Sequence, residues 1–141
     1  MDRAQAFLFD QVPLHLRPKI PETLKNAYAA ADLLIKGEPI LQVTSARDGR
    51  GRIVQWAVDL GFQKLCESGE WPFDHRWKYF AKPTGRYLEI RPSHSVLTIS
   101  QVSDPKKSGA KFAKYRKVIG HKKRTRLCKG ICKFSECVWL R

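Results

Sequence analysis

The chain of 141 residues is short of acids: 13 Asp and Glu stand against 27 Lys and Arg, a formal net charge of +14. It has no apolar run long enough for a membrane span, and its first twelve residues lack the basic-then-apolar pattern of a secretory signal. A cytoplasmic location is the expectation, and the four cysteines then read as thiols or metal ligands rather than disulfides. No internal repeat is visible, and the length suggests one domain or a small domain with an appendage. That excludes a large multidomain enzyme and a collagen-like, heptad or helical-repeat protein. No Gly-Lys-Ser/Thr loop, Gly-x-Ser-x-Gly elbow or Cys/His nucleophile arrangement occurs.

What is present is a chain 43% hydrophobic and 28% charged, too apolar to be disordered throughout. Its charge is unevenly placed. Residues 1–104 are nearly balanced, whereas residues 105–141 hold thirteen Lys and Arg against a single acid, Glu136. The break falls near Val102-Ser103-Asp104-Pro105-Lys106-Lys107-Ser108-Gly109, which reads as a linker. Three parts are expected: an extended proline-containing lead-in over 1–20, an α+β domain over 21–102, and a basic, cysteine-containing C-terminal extension over 103–141.

Pro13, Pro18 and Pro21 favour the extended lead-in, and Pro21 also suits a first helical turn. Over residues 22–36, Leu24, Ala27, Tyr28, Ala31, Leu34 and Ile35 recur at helical spacing, with Gly37 and Pro39 as the stop. Residues 40–44 read as a short strand and residues 45–52, with Gly49 and Gly51, as a loop. A second helix is expected over 52–67, with Ile53, Trp56, Ala57, Leu60 and Leu65 as its buried stripe and Gly61 weakening it. Cys66 should be buried, and Trp56, Trp71 and Trp77 read as core or core-edge residues. Residues 76–82, 86–91 and 95–102 suit a three-stranded antiparallel meander, with Lys78 opposite Glu89 and Leu88, Ile90, Leu97 and Ile99 as the apolar face. The fold class is therefore α+β: two helices packed on a small antiparallel β-meander, with a basic extension. Residues 109–120 fit an amphipathic helix and a strand about equally well.

The strongest functional signal is the basic extension. Lys111, Lys114, Arg116, Lys117, Lys122, Lys123, Arg124 and Arg126 can neutralise phosphates and release counterions, while Phe112 and Tyr115 can stack. A solvated basic tail, or one that meets an acidic protein or a membrane surface, is the alternative account. Arg47, Arg50 and Arg52 before the second helix read as a further phosphate contact, or as ordinary surface arginines. Cys128, Cys132 and Cys137 with His121 are the residues that would hold Zn²⁺, but the Cys-x3-Cys-x4-Cys spacing lacks the paired ligands of a structural site. As small apolar residues beside Leu127, Ile131 and Val138 they need no metal. No cofactor is expected.

Two enzymatic readings rest on resemblance. Pro72-Phe73-Asp74, fourteen residues, then Glu89-Ile90-Arg91 resembles the PD-(D/E)xK nuclease motif. It departs from the motif in separating proline from acid and in placing Arg91 where lysine is usual. The resemblance implies metal-dependent phosphodiester cleavage; without it, Glu89 is a cross-strand partner of Lys78 and Asp74 caps a turn. The helices followed by Gly85-Arg86-Tyr87-Leu88-Glu89-Ile90-Arg91 resemble RelE-like ribosome-dependent toxin nucleases over about fifteen residues. That implies Tyr87, Arg91 and His94 as acid–base and phosphate-stabilising groups, although Val96-Leu97-Thr98-Ile99 lacks the arginine usual on the next strand. The expectation that follows is a small nucleic-acid-binding protein whose partner is RNA, DNA or the ribosome. The rivals are a small nuclease and a protein-interaction or inhibitor module with a basic steering tail.

Overall fold

The computed structural model describes residues 3–80, 85–101, 125–126 and 136–140. Among the described residues four α-helices, α1 (Arg3–Gln11), α2 (Lys19–Gly37), α3 (Thr44–Arg47) and α4 (Arg50–Glu67), precede five strands. These are β1 (Asp74–Tyr79), β2 (Arg86–Arg91), β3 (Leu97–Gln101), β4 (Thr125–Arg126) and β5 (Glu136–Leu140), in sheet order β1-β2-β3-β5-β4. The α+β class holds, with β1, β2 and β3 forming the expected antiparallel meander. No helix among the described residues is long and apolar enough to cross a membrane.

The lead-in is helical rather than extended. Phe7 and Leu8 on α1 pack against the core and Val12 is buried just beyond it. Pro13 ends that helix with an extended ψ of 147° and opens a 3-10 turn, Leu14–Leu16. The prolines thus separate helical pieces instead of straightening the chain. Two hydrogen bonds fix the arrangement: Arg17 Nε donates to Val12 O at 3.0 Å, and the buried Trp71 Nε1 donates to Leu16 O at 3.0 Å.

Helices α2 and α4 pack antiparallel, with Arg50 paired to Asp32 near one end and Gly61 beside Thr23 and Ala27 toward the other. A Cβ at Gly61 would meet Thr23 Cγ2 at 3.0 Å, so this glycine's weak helix propensity accompanies a close approach of the helices. Between α2 and α4 the expected strand is absent. A 3-10 turn, Pro39–Gln42, and α3 take its place, because the chain must reverse and Ile40 and Val43 are exposed with no sheet beside them. The buried line on α4 is also displaced from expectation. Val54, Val58, Phe62, Leu65 and Cys66 face inward, while Trp56 is 64% and Leu60 50% exposed. Gly69, at φ 80°, ends α4 in the left-handed conformation that glycine adopts without a Cβ penalty.

In the sheet, Leu88, Ile90, Leu97 and Ile99 are all buried in the common core, as alternation requires. The register differs from expectation by two residues: Arg76 lies opposite Glu89, and Lys78 opposite Tyr87. The hairpin closes early, with Phe80 N bonded to Gly85 O at 3.1 Å. The sheet also continues past the compositional break at residue 102, since β5 pairs with β3 from Leu97↔Leu140 to Gln101↔Glu136.

Asp59 is buried on α4, and desolvation pushes its carboxyl up to about 6 against a hydrogen bond from Gln55 Nε2 at 2.9 Å. A raised folded-state value penalises the ionised form. Stability should therefore be lost as pH rises from about 4 through 6. Asp59→Asn keeps the acceptor for Gln55, so we expect it to stabilise the protein by about 1–3 kcal/mol at pH 8. Thermal unfolding at pH 8 and pH 4 checks this: the two proteins should differ at the first and converge at the second.

Candidate nucleic-acid interface

Because side chains alternate along a strand, the residues between the core positions of the meander share its other face. On β1 these are Asp74, Arg76 and Lys78; on β2, Tyr87, Glu89 and Arg91; on β3, Thr98 and Ser100. Glu89 sits at the centre with no solvent exposure. Arg76 Nε, from directly across the ladder, donates to its Oε1 at 3.1 Å. Arg91 Nε, two residues along the same strand, donates to the same oxygen at 2.8 Å. Lys78 Nζ reaches Oε2 diagonally at 3.1 Å, as an ion pair without hydrogen-bond alignment.

All three cations remain partly exposed. Each arginine uses Nε to hold Glu89, so its fork of terminal N–H groups can serve an outside acceptor. Three cations against Glu89 and the exposed Asp74 leave this face with a positive excess. Beside it, Phe80 packs on Tyr87 with ring centroids 5.4 Å apart. Thr98, directly opposite Glu89, and Ser100 are buried with no hydrogen-bond partner for their hydroxyls.

Of the enzymatic candidates, Asp74, Glu89, Arg91 and Tyr87 share this face. His94 turns elsewhere: its ring meets Phe7 edge-on at 6.1 Å and lies 3.5 Å from Asp10 and within hydrogen-bond distance of Gln11. The trio of Tyr87, Arg91 and His94 is thus divided between the sheet face and α1. For a metal, Asp74 and Glu89 occupy one face of adjacent strands, but Glu89 is already held by three cations. Among the described residues no group of three or more His, Cys, Asp or Glu converges.

Arg47, Arg50 and Arg52 do not flank a glycine loop. The segment is α3, a turn, and the first turn of α4; Gly51 is helical, Arg50 is paired to Asp32, and Arg47 and Arg52 are exposed. Arg126 belongs to β4, opposite Trp139, and Cys137 to β5, opposite Ser100. Lys111, Lys114, Arg116, Lys117, Lys122, Lys123, Arg124, His121, Cys128 and Cys132 lie outside the described residues, as does the choice between helix and strand for 109–120. Sequence reasoning missed Arg76, whose signal was its alternation with Lys78 in Asp74-His75-Arg76-Trp77-Lys78-Tyr79, opposite a strand ending Glu-Ile-Arg.

Glu89→Gln keeps the shape and removes the charge that gathers Arg76, Lys78 and Arg91. Breaking a buried pair costs several kcal/mol when both partners are buried. With half-exposed cations we expect a loss of roughly 2 kcal/mol. Thr98→Val should be close to neutral, because its hydroxyl is already unpaired. Urea unfolding of both variants measures the contrast.

No family model, curated protein or solved structure matches this chain.

Proposed function

We propose that this protein binds nucleic acid through the phosphate backbone. The observation that carries the reading is the cluster of Arg76, Lys78 and Arg91 held on one sheet face by the buried Glu89. Pre-positioned cations lose less side-chain entropy on meeting a phosphate than mobile ones. The basic sequence of residues 105–135 supports the same reading, with Lys122, Lys123 and Arg124 at its densest point. The mechanism is neutralisation of phosphates with release of their counterions.

A second reading, phosphodiester cleavage, draws on Asp74, Glu89 and Arg91 sharing one face of the β1–β2 hairpin. RNA and DNA incubated with and without Mg²⁺ test it: cleavage that needs Mg²⁺ and disappears in Glu89→Gln supports it, and intact substrates in both conditions oppose it.

Binding of a labelled oligonucleotide by fluorescence anisotropy across a salt series tests the main reading. We expect log K to fall linearly with log salt concentration. Arg76→Gln and Arg91→Gln should each reduce the slope by about 0.7–0.9, and a Lys122, Lys123 and Arg124 triple glutamine variant by roughly 2–3. Substitution is the right perturbation because truncation after residue 104 would remove strands of the sheet. A salt-independent affinity, or slopes unchanged in all three variants, overturns the proposal.

A further inference from the structure

Among the described residues, strand β1 is the outermost strand on its side of the sheet, with β2 as its one neighbour. Its sequence alternates: Arg76 and Lys78 belong to the cationic face, and Trp77 and Tyr79 to the face that further in becomes the core. At this edge the core has run out. Trp77 is 40% and Tyr79 61% exposed. Neither ring is loose: Trp77 Nε1 donates to Gln63 Oε1 at 3.2 Å, and the guanidinium of Arg86 lies 4.4 Å over the Tyr79 ring and bonds to its hydroxyl. Two residues apart on one strand, the rings start from backbone positions about 7 Å apart, which gives each ring room for one base.

Exposed aromatic rings on one side of an edge strand and cations on the other are a combination that suits unpaired bases on a charged backbone passing around that edge: rings stack on bases whatever their identity, and cations follow the phosphates. Duplex DNA or RNA offers the phosphates but keeps its base faces stacked away. We propose that the open edge of β1 is a stacking site for unpaired bases, with Trp77 and Tyr79 as the platform, Arg86 backing Tyr79, and Arg76 and Lys78 on the neighbouring phosphates. The preferred ligand is then single-stranded nucleic acid. This inference rests on the phosphate-binding reading above and adds the substrate class to it.

The test uses the full chain at one salt concentration and four probes: oligo-dT, oligo-U, a blunt duplex of equal length, and an oligonucleotide of equal charge whose central residues are abasic. The protein should bind the two single strands at least about fivefold more tightly than the abasic strand and the duplex. Trp77→Leu and Tyr79→Leu should each weaken single-strand binding about fivefold or more and change duplex binding less than twofold. Trp77→Phe should retain most of the affinity. Equal affinity for intact and abasic strands overturns the stacking site with the unaltered protein, whatever the variants do to folding, and leaves phosphate binding standing. Absence of binding to all four probes overturns both readings.

Discussion

A carboxylate with no solvent exposure is tolerable only if its charge is met at short range, and Glu89 is met by Arg76, Lys78 and Arg91. The outer face of the sheet is organised by that requirement. Had position 89 been apolar, three cations within a few ångströms would repel one another and spread into solvent. With the carboxylate between them they are drawn to one point and still leave a positive excess. The arrangement explains how one strand pair can be rigid and basic together, a combination that a mobile lysine tail lacks.

The rest of the fold supplies the platform. Leu88 and Ile90 must face the helices to be buried, so Glu89 and Arg91 must face away. The helical layer that receives them is pinned by Trp71, which meets Phe62 at a tilt and Phe73 edge-on and bonds through Nε1 to Leu16 O. Burial of each large side chain here is worth about 1.5–3 kcal/mol, which helps to offset buried polar groups left unsatisfied at Thr98 and Ser100. The core does not extend under β1 as it does under β2 and β3. That is why Trp77 and Tyr79 meet solvent at the edge.

The helices, the meander and the apolar face of the sheet were legible because period and punctuation agreed: over residues 22–36 Leu24, Ala27 and Ala31 are buried as their spacing requires, although Leu34 near the end of α2 is exposed, and Leu88, Ile90, Leu97 and Ile99 alternate between turn residues. The errors came where two patterns competed. On α4, Trp56 and Leu60 share the four-residue spacing of Val54, Val58 and Phe62, and size favoured the wrong line. The hairpin register moved by two because Pro83-Thr84 looks like a two-residue turn, whereas the pairing closes at Phe80 and Gly85. Of the site, Glu89, Arg91 and Tyr87 were readable from sequence. Arg76 required the true register, and the separation of His94 from them required α1, which proline content had made look extended.

The pairing of β5 with β3 changes what the basic segment can do. Gln101 and Glu136 are partners across adjacent strands, and between them in sequence Thr125 and Arg126 form β4 beside β5, so the basic segment is joined to the sheet at both ends and at one point within. A segment held at both ends cannot extend as far from the domain as a free tail of equal length. The twelve Lys and Arg of that stretch are therefore carried by a chain closed at both ends, whose reach is set by the length of the closed segment. Under the phosphate-binding proposal, charge tethered in this way adds to the cations of β1 and β2 as a second arm on the same polyanion. For a ligand long enough to meet both, the two sets of contacts multiply in affinity instead of competing as separate weak sites.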